Sequence, residues 1–413
     1  MTKPWSPRAF LALPDDLSRE QKRLLFLLGA AFFIGQYDMT LLTLALPDVQ
    51  HSFGIAEDKL GELIAVARLG AIPALALAVF ADRRGRRQLL VVTLVGLSLS
   101  CLATAFAQNS AQFMLFQSSA RLFTTLEEIL AVTFALEMLP ARHRGWGVGF
   151  LAAMGALGSG LAAVLYGTVE VLPGEWRALY FVGGLAILYV AWLRRSLPES
   201  PMFEAPTVAP IPGEFLQPLR EIATRHRYAL FTLLFIAGAF FFQIGATLNF
   251  MSKHLQNIHG YSSGEVSALF VLAGAMAIFG NVLAGRASDA IGRRPVLALA
   301  MCVNSAALIA FYNTSGWWLP LAWIAALFSF FAVEVVLNTV SGELFPTSCR
   351  STAATLKVLC SVLAGAAGLL AEGYLYSWLG SHGAALSLMA LSSLLALPLI
   401  AIYLRETANS ELT

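Results

Sequence analysis

Two short signatures occur twice in this chain, half its length apart. Asp82-Arg83-Arg84-Gly85-Arg86-Arg87 returns as Asp289-Ala290-Ile291-Gly292-Arg293-Arg294, and Glu137-Met138-Leu139-Pro140 with Arg144 returns as Glu343-Leu344-Phe345-Pro346 with Arg350. The first pair is offset by 207 residues and the second by 206, so two halves of a 413-residue chain correspond almost without a gap. Any fold for this sequence must therefore be built twice.

The signatures sit beside long apolar runs, and composition says what those runs dissolve in. Hydrophobic residues make up 58% of the chain, charged residues 13%, and the mean hydropathy is +0.71. That lies far outside the range of soluble domains, so the partner of this surface is a lipid bilayer. A helix needs about 20 apolar residues to cross about 30 Å of hydrocarbon. Twelve segments of that length are present, at 23–49, 59–81, 88–107, 112–137, 145–168, 177–194, 228–252, 264–288, 295–312, 316–342, 352–377 and 383–404. Numbered as spans 1 to 12, they divide as six plus six, as the duplication requires. The reading is an all-α membrane protein of twelve transmembrane helices in two six-helix bundles, at 23–194 and 228–404.

Orientation follows from Lys and Arg, which are enriched in cytoplasmic loops. With the amino terminus inside, one side collects Lys3, Arg8, Arg19, Lys22, Arg23, Arg83 to Arg87, Arg142, Arg144, Arg194, Arg195, Arg220, Arg225, Arg227, Arg286, Arg293, Arg294, Arg350 and Arg405; the other holds Lys59, Arg177 and Lys253. The sequence thus predicts a plasma (inner) membrane protein with both tails, 1–22 and 405–413, cytoplasmic. Residues 1–22 contain no apolar run, so span 1 itself serves as the insertion signal. The segment 195–227, with Pro198, Pro201, Pro206, Pro210 and Pro212, reads as a cytoplasmic linker between the bundles.

Several chemistries find no support. The cysteines at 101, 302, 349 and 360 lack paired spacing, the six histidines are scattered, and no phosphate-loop, dinucleotide or zinc-protease pattern appears. No cofactor, metal or nucleic acid is expected, and no nucleophile and base pair suggests an enzyme.

The repeated Asp-x-x-Gly-Arg-Arg between spans 2 and 3 and between spans 8 and 9 resembles the signature loop of the major facilitator superfamily, over nearly the whole chain. Glu137 to Gly145, Trp176-Arg177, Leu197-Pro198-Glu199-Ser200-Pro201 and Glu343-Leu344-Phe345-Pro346-Thr347 resemble its sugar-porter and metabolite:proton symporter branches. Gln36-Tyr37-Asp38 and Glu127, ten residues before Glu137, are closer to the symporters, although Gln117 stands where that pattern places Arg. The resemblance implies a gating role for Asp82, Arg86, Asp289 and Arg293, with Gly85 and Gly292 allowing the tight turn and Glu137, Arg144, Glu343 and Arg350 completing each latch. The competing reading makes the arginines topology determinants only.

Charges inside the membrane are costly and mark function. They are Asp38, Arg68, Arg121, Glu127, Glu128, Glu334, Lys357 and Glu372. At 100° per residue, Arg121 and Glu128 share one stripe of span 4 and Glu127 points elsewhere. Glu128 precedes Glu137 by nine residues, as Glu334 precedes Glu343, so the two are expected to be symmetry mates. Asp38, with Arg121 and Glu128, is the candidate for proton coupling, against the alternative of a permanent ion pair that fixes packing. Arg68, Arg121, Glu127, Glu128, Gln243, Asn249, Glu334, Asn338 and Lys357 are the candidate substrate contacts, with snorkelling as the competing reading of Lys357 and an interfacial place for Glu372. Phe240, Phe241, Phe242, Phe250, Phe330 and Phe331 offer an aromatic wall or plain packing.

The function these features support is proton-coupled symport of a small organic metabolite, an anion preferred, by alternating access in a monomer. Proton-coupled efflux of organic cations is the alternative, anchored on Glu128 and Glu334. A transporter-like nutrient sensor stands third.

Overall fold

The computed structural model describes residues 17–407 except 85, 141–142, 196–216 and 347–348; the side chains at 78–84, 86, 87, 136, 137, 144, 145, 217, 218, 278, 282 and 351 are likewise outside the description. Gly85 therefore lies outside the described residues, as do the side chains of Asp82, Arg86, Glu137 and Arg144 and most of the two tails and the linker.

Among the described residues, eleven helical stretches are long and apolar enough to cross a membrane. A twelfth long helix, Ser110–Met138, has 29 residues. It carries Gln117, Arg121, Glu127 and Glu128, of which Arg121 and Glu128 share the stripe described above. Span 1 is Arg19–Leu44, span 2 is Leu60–Leu69 continued by Ala71–Arg84, span 3 is Arg86–Ala105, span 4 is Ser110–Met138, span 5 is Arg144–Tyr166 and span 6 is Trp176–Arg194. Span 7 is Arg227–Thr247, prolonged by Met251–Lys253 and a π turn at His254–Ile258; span 8 is Ser263–Ile291, span 9 is Arg293–Asn313, span 10 is Trp318–Glu343 and span 11 is Arg350–Leu379. Span 12 is His382–Ala390, continued through Ser392–Ala396 to Leu397–Ile402.

Local chemistry sets these boundaries. Spans 1 and 8 begin with reciprocal capping boxes, Ser18 with Gln21 and Ser262 with Glu265, which satisfy two amide groups that a helix start leaves orphaned. The sequence predicts a single span over 23–49. Instead span 1 stops at Leu44 and Leu46–Phe53 forms a separate helix with Pro47 in its first turn, because proline has no N–H to continue the ladder and is tolerated only where a helix starts. A second unforeseen helix, Gln217–Arg225, lies in the expected linker and buries Ile222. Gly292, between spans 8 and 9, has φ +116°, so the signature glycine occupies a backbone conformation that side-chain-bearing residues avoid.

The duplication is visible in the packing. Span 1 packs on span 5 as span 7 packs on span 11; spans 2 and 4 match spans 8 and 10; spans 3 and 6 match spans 9 and 12. The bundles meet along two seams, span 2 with span 11 and span 5 with span 8, which the 206-residue shift exchanges. At the first seam, a Cβ on Gly61 would lie 2.0 Å from the Leu369 carbonyl oxygen. At the second, Ser267 and Ala163 occupy the corresponding positions, and the Ser267 hydroxyl donates to the Ala163 carbonyl at 2.5 Å. Both seams are tight toward the face opposite the termini, called here the far face. The Leu60–Leu69 half of span 2 follows span 11 closely, whereas Ala71–Arg84 touches it little.

Within the first bundle the closest approach is at Gly158, where a Cβ would stand 1.8 Å from the Phe33 carbonyl oxygen of span 1. Two residues on, Gly160 faces open space. Gly158→Ala is therefore expected to destabilise by about 1–3 kcal/mol through overpacking, while Gly160→Ala is neutral or gains up to about 1 kcal/mol from helix propensity. Thermal unfolding of the two purified variants checks this; equal Tm values would refute the packing account.

Candidate functional site

The charged residues of the first bundle form a chain from span 1 to span 4. Asp38 is 4% exposed and accepts from the Cys101 thiol of span 3 at 3.1 Å, while Gln117 and Arg121 act on the same carboxylate from span 4. Gln117 also donates to Thr104 at 3.1 Å. One turn along, Arg121 lies against the Met39 sulfur and faces Glu128 as well as Asp38. Glu128 in turn accepts from the Gln36 amide at 2.8 Å. Two residues of span 1, Gln36 and Asp38, are thus tied through one arginine, as the 100° helical stripe requires.

The second bundle supplies the opposing half. Glu334 of span 10 faces Lys357 of span 11 and Arg68 of span 2, and the Lys357 ammonium donates to Asn338, one turn from Glu334. Arg68 sits where span 2 breaks, just before Gly70, whose missing Cβ lets span 2 close on the Ser118 carbonyl oxygen. Its guanidinium lies on Gly365 of span 11, where a Cβ would come within 2.8 Å of Nε. Arg68 feels both Glu334, across the bundle boundary, and the like charge of Arg121. The buried Nε atoms of both arginines have no acceptor. Three cations and three carboxylates share this region, and Gln36, Arg68, Arg121, Glu128 and Glu334 stay half-buried rather than sealed, with Asn338 exposed.

Other expected contacts have different surroundings. Glu127 turns away from Glu128 and pairs with Arg194 of span 6 at 2.5 Å, also accepting from Thr93 at 2.7 Å. Arg194 is wholly buried and donates to the Leu27 carbonyl at 3.2 Å. In the sequence Arg194 reads only as a topology charge, because its position at a helix end gives no sign of inward burial. Gln243 is equally enclosed, donating to Asn304 at 2.8 Å, which ties spans 7, 9 and 10 through the Ala326 carbonyl and Ser329. In this conformation Glu127 and Gln243 serve helix packing and do not face the charged stripe. Asn249 accepts from Thr43 of span 1 at 3.1 Å, a bond between bundles. Phe240 is buried and stacks on Phe330 across spans 7 and 10, at 6.0 Å between centroids.

The second-copy latch is a closed ion cluster. Arg293 pairs with Asp289 at 2.5 Å and with Glu343 at 3.0 Å, and the Glu406 carboxylate accepts the Arg293 and Arg294 backbone N–H groups at the start of span 9. A carboxylate there meets the positive end of the helix dipole. Glu406 was not picked out from sequence. Arg350 donates to the Phe345 carbonyl at 3.4 Å, a long contact within its own loop.

The far face carries a set of bonds between bundles that sequence reasoning missed. Lys253 pairs with Glu57 at 2.8 Å and donates to Gln50. His382 bridges Glu57 and Glu372. Tyr166 donates to Asp48 at 2.8 Å and accepts from Gln256, Ser252 donates to the Leu44 carbonyl, and Ser263 donates to Glu170. Burial pushes the Asp48 carboxyl above its usual range, with the Tyr166 hydrogen bond opposing that rise. At the terminal face, by contrast, the described ion pairs close within one bundle. At the far face the two halves are joined by polar side chains from both.

The Major Facilitator Superfamily model matches residues 28–257 and 233–412. Among similar proteins are a probable 4-methylmuconolactone transporter of Cupriavidus pinatubonensis, 26% identical over 88% of this chain and 86% of the relative, and the gallate transporter of Pseudomonas putida, 26% identical over 91% and 88%. The cis,cis-muconate transport protein of Acinetobacter baylyi is 25% identical over 78% and 80%. Among solved structures, a D-xylose-proton symporter superposes with a TM-score of 0.79 at 19% identity, covering 95% of this chain and 99% of that one. The duplicated bundles, the repeated loop and these matches agree: the chain belongs to the Major Facilitator Superfamily, a family of membrane transporters and not of enzymes.

Proposed function

We propose that this transporter carries a small organic anion together with protons into the cytoplasm, as a plasma-membrane monomer with both termini inside. The observation that carries the anion is the pair Arg68 and Arg121: two guanidinium groups near enough to repel, each with a buried Nε lacking an acceptor. A substrate carboxylate between them removes the repulsion and supplies the missing acceptors, a charge-assisted contact stronger than a neutral one. Relatives named for muconate and gallate transport, both carboxylates, support the same class. Cation efflux is less well supported, since Glu128 and Glu334 already face Arg121 and Lys357 respectively.

Proton coupling rests on Asp38. It shares Arg121 with Glu128, so substrate capture of Arg121 leaves Asp38 with less compensating charge and favours its protonated form. Release of substrate returns Arg121 and expels the proton. The bonds between bundles at the far face and the pairing of the Asp289–Arg293–Glu343 latch within its own bundle support reading this as an inward-facing state, with alternating access about the central charges.

Two measurements in proteoliposomes test this reading. Under an inward proton gradient, Asp38→Asn is expected to abolish uphill accumulation of an aromatic carboxylate such as gallate while exchange at equal concentrations persists; accumulation equal to wild type removes Asp38 from coupling. Arg68→Ala is expected to weaken carboxylate binding by about 10- to 150-fold, the worth of a hydrogen bond to a charged group, and to leave binding of the corresponding amide unchanged. An equal loss for acid and amide, read by thermal shift, would make Arg68 a packing residue.

A further inference from the structure

His382 is the first residue of span 12, and both of its ring nitrogens meet carboxylate oxygens. Nε2 lies 2.8 Å from Glu57 of the first bundle, and Nδ1 contacts Glu372 of span 11 in its own bundle. The ring is clamped between Tyr376, stacked at 4.1 Å, and Phe250, at 5.1 Å, so it cannot turn aside from either partner. A neutral imidazole carries one N–H and one lone pair. With both carboxylates ionised it can satisfy one of them, and the other contact sets lone pair against lone pair. Two hydrogen bonds require one more proton, on the ring or on a carboxyl.

Charge counting gives the same answer. Lys253 joins the group through Glu57, and Glu372 is fully buried, with its Oε2 lacking any donor. With His382 protonated, Lys253 and His382 balance Glu57 and Glu372. Without that proton the enclosed group carries an uncompensated negative charge, which burial disfavours. The other titratable groups that face it are His254 of span 7, with His259 beyond it, and Tyr312 of span 9. Glu57 is 39% exposed, so water reaches the cluster from the far face.

We propose that His382, Glu57 and Glu372 form a proton-binding latch, distinct from Asp38, that holds the far face closed when loaded and lets the bundles part when it loses its proton. The bond that fails on deprotonation is not arbitrary. Glu372 sits in the same bundle as His382 and keeps its contact when the bundles separate, whereas the bond to Glu57 is the one that crosses. Low pH at the far face therefore favours closure, and the latch adds a pH dependence to gating that does not pass through the central site. The inference rests on the transport reading only for the existence of an open state; it is independent of substrate class.

The test is the distance between spin labels at Lys59→Cys and Ile258→Cys, exposed positions on opposite bundles, in a background without native cysteines, reconstituted in liposomes between pH 5 and pH 9. The ratio of closed to open populations is expected to fall with rising pH by up to about tenfold per unit, the limit for one linked proton. His382→Gln should make the ratio independent of pH. Glu372→Gln should also flatten it but leave the closed state favoured, because one N–H and one lone pair then satisfy both neighbours. Asp38→Asn should keep the wild-type profile. Retention of the pH dependence in either His382→Gln or Glu372→Gln, its loss in Asp38→Asn, or a flat wild-type profile would overturn the latch.

Discussion

The two bundles are held in place by backbone brought nearly into contact with backbone. In lipid there is no hydrophobic gain from pressing one apolar helix on another, so association depends on close packing at small residues and on hydrogen bonds. Gly61 against Leu369 and Ser267 against Ala163 are the same contact made twice, once by each copy of the repeat. One copy kept no side chain and gains van der Waals approach; the other kept a hydroxyl and gains a hydrogen bond, on the order of 0.6 kcal/mol, with about 2 as an upper range. The far-face bonds that cross between the bundles, from Lys253–Glu57 to Gln256–Tyr166, rely on these seams to bring their partners within reach.

The central charges divide labour between the halves. Glu128 and Glu334 correspond under the repeat, but their surroundings do not: Glu128 is served by Gln36 and Arg121, and Glu334 by Lys357 and Arg68. Arg121 maps onto Leu327, which is buried. On the proposed reading the first bundle holds the carboxylate that exchanges a proton, and the second holds Glu334, whose charge reaches across to Arg68. The proposed function thus draws on positions where the copies differ, while the fold draws on those where they agree.

How much of this was legible in the sequence follows from the range over which each feature acts. Twelve helices, two halves and the glycine of the signature turn could be read because hydropathy, repeat offset and backbone conformation are local properties. The stripe joining Arg121 to Glu128, and the exclusion of Glu127 from it, followed from helical angle alone. The partners of Glu127 could not be read, since Arg194 is 67 residues away and looked like any basic residue at a helix end. The far face was illegible for a similar reason: Glu57 and His382 are 325 residues apart and neither lies in a recognisable pattern. Gln243 misled because a buried amide on an apolar helix looks the same whether it faces a substrate or, as here, Asn304.

The break in span 2 gives the central site a mechanical reach. Its outer half, Leu60–Leu69, is clamped to span 11, while its inner half, Ala71–Arg84, stays with span 4 and leaves span 11 nearly untouched. Arg68 stands at the fulcrum between them, held against Gly365 on one side and within range of Arg121 on the other. On the proposed alternating access, rocking of the bundles would change the balance between the attraction of that charge to Glu334 and its repulsion from Arg121. Span 2 is thus, on the same reading, the element that links the central charges to the far-face gate.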